Sequence, residues 1–501
     1  MNSEKSIVFS AISTNLLAKI VKNVIPFLIA ILIIRLLSVR EFGTFSLFLS
    51  FLSIFGGLSF GIHHIYQRYI AIYAENKRDM SRVIKFTFVT TAARIGIFLG
   101  IIAVLYIFKS LDIINLKQLN FPYVWLAVIT CVAVIFKLVF QEGLLSGYLD
   151  HKYFNLIDIS ILLLKCLIII ILRPETVIGF IYIWLYLEIL RIIFLFARFS
   201  YLIRQDQAGM ENSGEKHLEY GNYYDYGKYF IFATIASQIL AFDIDNYFLA
   251  YFIGNEAVGM YSFATKITFA LAGFAPVNIM FNVTTPQIIK DYEQHRNKER
   301  LLGPIDTLFK LNILVYAIMV VFFLININFI LNIVFKGKYA STVPYILAFI
   351  PISFLPVIKN TFEPVSRGIG KSKVYLFTLV SAMLNLVGNI ILIPLLGIIG
   401  AIISTGLAIS LQSVAFVVFA MKEINFAFDG KFLLKLLINI IPVVLLGYYL
   451  QSYILNSIVS AIILNIMILI ITVMIFKYNK FFSDEESSFI NSFLPLKFFV
   501  F

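Results

Sequence analysis

The sequence is short of charged residues and of cysteine. Only 14% of its 501 residues are Asp, Glu, Lys or Arg, and 60% are hydrophobic, whereas soluble globular proteins carry about 25% charged residues. A chain with this composition is not an ordinary soluble protein. The two cysteines, Cys131 and Cys166, both lie within apolar runs, so neither a disulfide framework nor a cysteine-based metal cluster is predicted.

The sequence also lacks two familiar enzyme signatures. It contains neither a Walker A pattern nor an HExxH motif, so neither ATP hydrolysis nor a zinc hydrolase centre is predicted. The loops predicted on the outer side, near 109–120 and 335–341, are short and hold few acids or histidines. We therefore predict a protein that is not an enzyme and that uses no cofactor or metal centre. No cleavable signal peptide is predicted, because the first apolar run continues past signal length toward Leu37.

Long apolar runs are what the chain has in abundance. Runs of about 20 residues are long enough to cross ~30 Å of hydrocarbon as helices, and unbroken apolar stretches such as 27–34 do not fit the alternating pattern of a barrel strand. We predict an all-α polytopic membrane protein with about 14 transmembrane helices. The predicted spans are 14–37, 44–66, 86–108, 121–145, 154–172, 177–197, 229–252, 259–284, 308–333, 342–361, 373–393, 398–420, 433–449 and 453–476.

Basic residues are concentrated in alternate loops between these spans. The chain has 40 Lys and Arg against 28 Asp and Glu, a net charge of +12, and most of the cations fall in one alternating set of loops. Loops rich in Lys and Arg stay in the cytoplasm, so both termini are predicted to be cytoplasmic. Because membrane topology accounts for the positive charge, no nucleic-acid partner is predicted.

A weak internal repeat relates two groups of six predicted helices. The segment 43–46 matches 259–262 at an offset of 216, while Glu142, Gly147, Lys152 and Gly179 match Glu363, Gly368, Lys373 and Gly400 at an offset of 221. Both groups start on the same side, so the repeat predicts two lobes related by a pseudo-two-fold axis, with a cleft between them. The predicted domains are an N-terminal six-helix lobe at 1–200, a cytoplasmic linker at 201–228, a C-terminal six-helix lobe at 229–421, and two extra helices with a cytoplasmic tail at 422–501.

Ionisable residues inside the spans indicate function, because each costs about 2.5 to 3.5 kcal/mol at the centre of a membrane helix. We interpret the cations as substrate-binding residues, since fixed positive charge in a cleft attracts an anion; they are Arg94, Lys137, Lys165, Arg191 and Lys266. The carboxylates are interpreted as sites for a coupling ion or for charge pairing; they are Asp158, Glu188, Asp243 and Asp245. Their depth also predicts an ion pair between Lys266 and Asp243 or Asp245. The alternative interpretation is that these charges form interhelix salt bridges that only hold the bundle together.

Three stretches carry a resemblance to a known family. They are 36–43 (LLSVREFG), 245–247 continuing into 254–262 (GNEAVGMYS), and 385–400 with Pro394 and Gly397. In these residues the chain resembles the polysaccharide transporters of the multidrug/oligosaccharidyl-lipid/polysaccharide exporter superfamily, the Wzx-type O-antigen flippases. The resemblance implies two six-helix lobes, two extra C-terminal helices, and alternating access around a central cavity.

The same resemblance implies a cargo and a location. The cargo would be an undecaprenyl-diphosphate-linked oligosaccharide, an O-antigen or capsule repeat unit, moved across the bacterial cytoplasmic membrane. Membrane lipid and other polysaccharide-assembly membrane proteins would be the partners. Two other functions stay open: a cation or drug exporter of the same superfamily, which should have acidic groups in its cavity, and a membrane-embedded polysaccharide polymerase or transferase, which should have a long outer loop.

Overall fold

The computed structural model is almost entirely helical in the residues that it describes. These are 21–22, 24–57, 77–110, 121–145, 150–209, 242–278, 288, 292, 294–369, 372–454, 458–479 and 481–493. Strands do not occur within those ranges, and nine of the helices there are long and apolar enough to cross a membrane. This composition of elements confirms the predicted all-α polytopic membrane fold.

Each predicted span overlaps a described helix. In chain order the helices are α1 Val24–Leu36, α2 Val39–Gly57, α3 Lys77–Ser110, α4 Phe121–Leu138, α5 His151–Leu172, α6 Val177–Gly209, α7 Phe242–Phe252, α8 Asn255–Gly273, α9 Leu302–Phe329, α10 Val343–Ile369, α11 Leu376–Leu396, α12 Ile398–Ile424, α13 Gly430–Ile454, α14 Ile458–Tyr478 and α15 Asp484–Phe493. Parts of some predicted spans, such as 14–20 and 229–241, lie outside the described residues. Helices suit this apolar sequence because they satisfy every backbone polar group within the segment.

Left-handed residues separate several neighbouring helices. Arg173, at φ 43°, ends α5 just before Pro174, which carries no N–H to continue a helix. Gly254, at φ 125°, ends α7, and its N–H donates to the carbonyl oxygen of Leu249. Gly397, at φ 63°, makes the turn between α11 and α12. Glycine takes this backbone conformation without the strain that a Cβ would add.

The described residues pack as two compact units. The first unit is formed within Val24–Ser262 and Ala382–Thr405, and the second within Phe263–Ser381 and Gly406–Phe501. Residues of α8, α11 and α12 are therefore assigned to both units. This division follows packing and not the sequence repeat, and the predicted lobes, linker and tail stay a prediction.

The helix bounds agree with the predicted repeat. Helices α2 and α8 each have 19 residues, and both their starts and their ends are separated by the predicted offset of 216. Helices α6 and α12 start at Val177 and Ile398, which are separated by the second predicted offset of 221. Two pairs of helices therefore begin at equivalent positions of the predicted repeat.

Helix α2 and the start of α8 cross at a pair of glycines in the first unit. A Cβ on Gly43 would lie 1.8 Å from the carbonyl oxygen of Asn255, and one on Gly259 would lie 2.1 Å from that of Val39. At the offset of 216, Gly43 corresponds to Gly259 and Val39 to Asn255, so these are two copies of one contact, as in an isologous interface. Only glycine permits the two backbones to approach so closely.

A lysine with three carboxylates holds the C-terminal helix α15 against α9 in the second unit. Lys310 Nζ lies 2.9 Å from Asp306, 2.8 Å from Glu486 and 3.3 Å from Asp429. The N–H of Ser483 donates to the Glu486 carboxylate at 2.7 Å, and the N–H of Glu486 donates to Ser483 Oγ at 3.2 Å. This reciprocal pair is a capping box, so Glu486 both starts α15 and binds Lys310.

We expect Gly43→Ala to lower the stability of the first unit by about 1 to 3 kcal/mol, because the new methyl group overpacks the crossing with Asn255. The measurement is the thermal unfolding midpoint of the purified chain in detergent, and Gly259→Ala should lower it similarly. Gly96→Ala on α3 is the matched control, since nothing lies within 4 Å of its Cβ position. Equal midpoints for Gly43→Ala and Gly96→Ala would contradict the crossing.

We expect Lys310→Met to release α15, because it removes the cation that the carboxylates of Asp429 and Glu486 share. Proteolysis of the 481–493 segment should become faster at neutral pH, while Lys422→Met, which changes an exposed lysine of α12, should have no effect.

The same contact should weaken in acid. The backbone N–H of Phe432 and then Lys310 lower the pKa of Asp429. Burial acts to raise the pKa of Glu486, but hydrogen bonds from Lys310 and Ser483 outweigh it and lower the pKa. Groups with a lowered pKa stabilise the fold above their unfolded pKa, near 4, and lose that effect as the pH falls further. Proteolysis of α15 that does not accelerate in the unmodified chain below that pH would contradict this account.

Candidate functional site

A network of buried charges joins α4, α5 and α6 in the first unit. Arg191 Nη1 lies 3.1 and 3.0 Å from the two carboxylate oxygens of Glu188, and its Nε lies 3.6 Å from Asp158. Gln141 Nε2 donates to Asp158 Oδ2 at 2.6 Å. All four residues are buried, so one arginine carries the positive charge that faces two acids.

The position of Gln141 depends on a change of helix type. Helix α4 continues into a π-helical segment, Val139–Leu145, and such segments change the register of the side chains and are frequent at functional sites. Gln141 lies in this segment and reaches Asp158. Lys137, in the last turn of α4, is half-buried just before it.

Lys165 belongs to the same region but has a different kind of partner. It is 3% exposed, and its Nζ lies 3.4 Å above the centroid of the Trp184 ring. Within the part of the chain that the structure describes, no carboxylate oxygen lies within ion-pair distance of this Nζ. The charges of Glu188, Arg191 and Lys137 all act on it electrostatically. Trp184 is itself held edge-on by Phe45, at 5.5 Å between ring centroids.

We call this group the ion network and define it as Lys137, Gln141, Asp158, Lys165, Trp184, Glu188 and Arg191. Its three cations and two carboxylates have a formal charge of +1. The pairing of Arg191 with acids agrees with the salt-bridge interpretation of the sequence, whereas Lys165 contacts an aromatic ring and, in the described residues, has no acid at ion-pair distance. The substrate-binding roles of these residues stay predictions.

The other predicted cations lie elsewhere. Arg94 is buried on α3, with its Nη2 3.5 Å from Thr91 Oγ1, and its predicted role in substrate binding is not tested by this contact. Lys266, on α8, is half-buried and belongs to the second unit. Because Asp243 and Asp245 belong to the first unit, the predicted ion pair with Lys266 stays a prediction.

Asp245 forms the centre of a second buried site in the first unit. Its carboxylate accepts hydrogen bonds from Asn385 at 3.1 Å, Asn389 at 2.5 Å, Thr405 at 2.6 Å and Tyr261. These residues come from α7, α8, α11 and α12, and Asp245 is completely buried. We call this group the Asp245 site.

The Asp245 site contains the oxygen atoms that a hard cation prefers. Besides the carboxylate, it holds the side-chain oxygens of Asn385, Asn389, Thr405 and Tyr261. In the described residues, Asn389 Oδ1 is buried without a hydrogen-bond partner. A half-turn of this amide would direct Oδ1, in place of the donor nitrogen, toward the Asp245 carboxylate. The residues present therefore fit a small cation.

Asp243 has a separate set of contacts. It accepts a hydrogen bond from Ser50 Oγ on α2 at 2.8 Å, and Asn246 Nδ2 donates to the same Oγ at 2.9 Å. Ser262 Oγ in turn donates to Asn246 Oδ1 at 3.0 Å. Asp243 is thus held by a chain of neutral polar groups between α2, α7 and α8.

Sequence reasoning missed the neutral members of both sites. Trp184 precedes Glu188 by four residues and Arg191 by seven, a spacing that puts all three on one face of α6. Asn385 and Asn389 are likewise four residues apart in an otherwise apolar span. These spacings were the available signals for Trp184 and the two asparagines. Tyr261 lies in the segment 259–262 that carries the repeat and the family resemblance, but nothing in the sequence connected it to Asp245, and Thr405 carried no signal.

Comparisons with known proteins place the chain in a family. A family model described as "Polysaccharide biosynthesis protein" matches residues 9–290, more than half of the chain. The uncharacterized membrane protein MJ1068 of Methanocaldococcus jannaschii is 27% identical over 230 residues, and the match covers 44% of each chain. The chain thus spans less than half the length of this curated relative.

Two solved structures share the fold at low sequence identity. Lipid II flippase MurJ in an inward closed conformation superimposes with a TM-score of 0.65, at 14% identity over 95% of this chain and 99% of that one. An inward-facing multidrug resistance MATE family transporter of the MOP superfamily gives a TM-score of 0.62, at 15% identity over 80% of this chain and 94% of that one. Because the family model matches more than half of the chain, the chain belongs to the polysaccharide biosynthesis protein family, as its sequence resemblance predicts.

Proposed function

We propose that this protein moves a polyprenyl-diphosphate-linked oligosaccharide across the bacterial cytoplasmic membrane by alternating access, and that it is a transporter and not an enzyme. The family description concerns polysaccharide biosynthesis, and one protein of the same fold is named as a lipid II flippase. An O-antigen or capsule repeat unit is the proposed cargo, with membrane lipid as the surrounding partner. Other polysaccharide-assembly membrane proteins are the proposed neighbours in the pathway.

The observation that carries this proposal is the buried ammonium group of Lys165. Burying a lysine in a membrane protein costs about 3 kcal/mol on insertion scales, and a buried cation–π contact returns about 2 kcal/mol. The Trp184 ring stabilises the charge but does not neutralise it. A site that keeps an unneutralised cation is suited to bind an anion such as a diphosphate.

The Asp245 site supports coupling to a cation gradient. A buried carboxylate surrounded by amide and hydroxyl groups can bind a small cation or a proton, and either would neutralise it. When no cation is bound, the donors of Asn385, Asn389 and Thr405 satisfy the carboxylate. A second arrangement of the same side chains, with the Asn389 amide turned so that its oxygen faces a bound cation, would give the two states that a coupled transporter requires.

A cation or drug exporter is the second candidate function. The buried carboxylates of Asp243 and Asp245 favour it, because acidic groups would attract a cationic drug, and a MATE transporter has the same fold. The formal charge of +1 in the ion network argues against a cationic cargo. A polymerase or transferase receives no support from the short predicted outer loops.

We expect loss of the protein to strand lipid-linked oligosaccharide on the inner leaflet, because the diphosphate-sugar headgroup cannot cross the hydrocarbon unaided. The measurement is oxidation of the accumulated glycolipid by membrane-impermeant periodate in intact spheroplasts, with lysed spheroplasts as the control. The glycolipid should be protected in the intact sample and oxidised in the lysed one. Accumulation in the outer leaflet would indicate a polymerase, and drug sensitivity without accumulation would indicate an exporter.

We expect Asp245→Asn to lower the apparent affinity for the coupling cation by about 10- to 100-fold, because removing a group that supports a bound ion has an effect of this size in other ion sites. Transport should then depend less on the cation gradient. Transport would be measured in proteoliposomes with a sodium gradient at fixed pH and, separately, with a pH gradient at fixed sodium. The gradient that loses its effect identifies the ion.

Asp484→Asn is the matched control, because it makes the same chemical change at an exposed position of α15. If the Asp245→Asn variant responds to both gradients as the unmodified chain does, the Asp245 site does not couple transport to an ion.

A further inference from the structure

Arg191 and Lys165 lie in one network but relate to its acids in opposite ways. We propose that Arg191 is a positioning residue and does not contact the cargo: it occupies Glu188 and Asp158, so that Lys165 stays on the Trp184 ring and remains available to the cargo's phosphate. This inference rests on the proposed function, because it takes Lys165 as the predicted cation that binds the diphosphate.

The first step of the argument is the geometry of Glu188. Both of its carboxylate oxygens lie 3.0 to 3.1 Å from the same guanidinium nitrogen of Arg191. Trp184 lies one helical turn before Glu188 on the same face of α6. The ammonium group of Lys165, seated on the Trp184 ring, is therefore close to Glu188, and the Glu188 charge acts on it directly.

The second step is the competition for Lys165. A lysine has a flexible four-carbon stem that can change its partner, whereas the planar guanidinium of arginine is suited to hold a carboxylate rigidly. In a low-dielectric interior, an ion pair with a carboxylate is stronger than a cation–π contact. If Arg191 did not occupy Glu188, Lys165 would leave Trp184 for Glu188, and its charge would be neutralised.

The third step is the charge of the network. With every group ionised, the formal charge is +1, and either Arg191→Gln or Lys165→Gln reduces it to zero. The double substitution Glu188→Gln with Arg191→Gln returns it to +1 and removes the acid that would capture Lys165. Asp158 keeps its hydrogen bond from Gln141 in this double variant. The double variant thus separates a positioning role of Arg191 from direct contact with the cargo.

Trp184 completes the arrangement. Its ring face contacts the Lys165 amino group without pairing it with an acid, and the ring itself makes an edge contact with Phe45. A phosphate forms a charge-assisted hydrogen bond with an ammonium group and is a stronger partner than an aromatic ring. Binding of a diphosphate should therefore move Lys165 off the ring.

The experiment measures binding of undecaprenyl diphosphate to the purified full-length chain in detergent. Arg191→Gln and Lys165→Gln should each weaken binding by at least about tenfold, because each removes the net positive charge of a buried site. The double variant Glu188→Gln/Arg191→Gln should recover binding to within about threefold of the unmodified chain, since Lys165 is again without an acid competitor. Lys152→Gln, an exposed lysine on the same helix α5, is the matched control and should bind normally.

A fluorescence readout reports on the Lys165–Trp184 contact itself. The chain has two tryptophans, so Trp125→Phe leaves Trp184 as the single emitter. Undecaprenyl diphosphate should change its emission, because the cation leaves the ring, and Lys165→Gln should abolish that change. A purely structural role of Lys165 would not produce a ligand-dependent signal.

Each outcome bears on the inference. Binding by the double variant that stays as weak as Arg191→Gln would overturn it, because Arg191 would then contact the cargo. Normal binding by Arg191→Gln would overturn it as well. If Arg191→Gln does not elute as a folded protein, the double variant is compared instead with a triple variant that also carries Lys165→Gln. Equal binding by the double and triple variants would overturn the inference. Lack of binding by the unmodified chain contradicts the proposed function, which is a separate result.

Discussion

The cost of placing charge among apolar helices is the constraint on which the rest of this protein depends. Four charged residues of the first unit are nevertheless buried: Asp158, Lys165, Glu188 and Arg191. A buried charge is tolerated when it is paired and hydrogen-bonded, or when it is kept for a ligand. Arg191 satisfies the first condition through its two acids, and under the proposed function Lys165, on the Trp184 ring, satisfies the second. The same few helices thus contain both a buried ion pair and, within the described residues, a lysine with no acid at ion-pair distance.

The predicted internal repeat has different residues at equivalent positions of its two halves. At the offset of 216, Tyr261 corresponds to Phe45, and Asp245 corresponds to Ile29. Tyr261 donates a hydrogen bond to Asp245, whereas Phe45 has no hydroxyl group and packs against Trp184 of the ion network. Phe45 and Tyr261 each lie two residues after the glycine at which α2 and α8 cross, so the crossing fixes the positions of both side chains. Equivalent positions of the predicted repeat therefore lie beside a carboxylate group in one half and beside the ion network in the other.

The sequence predicted the fold correctly, and it pointed to charged residues that the structure brings together, because both give a strong signal in an apolar chain. Apolar runs of span length locate the helices, and an ionisable residue within such a run stands out because its burial is costly. The pairing of Glu188 with Arg191 follows from their spacing on one helix. The pairing of Asp158 with Arg191 depends on how α5 packs against α6, which the sequence does not show. Asn389 and Thr405 were missed because neutral polar residues cost little in a membrane helix, and they approach Asp245 from about 150 residues away.

The signs of the two sites bear on the choice between the proposed functions. In a cation exporter, the cargo and the coupling ion can compete for one acidic site. Such an exporter does not need a buried lysine that lacks an acid partner. An exporter of a polyprenyl diphosphate needs a cationic site for the cargo and a separate acidic site for the ion, because one site cannot attract both. The chain has this second arrangement: Lys165 on its aromatic ring and Asp245 among its hydrogen-bond donors lie on different helices of the first unit. Separate sites of opposite sign are the physical reason to favour an anionic, lipid-linked cargo.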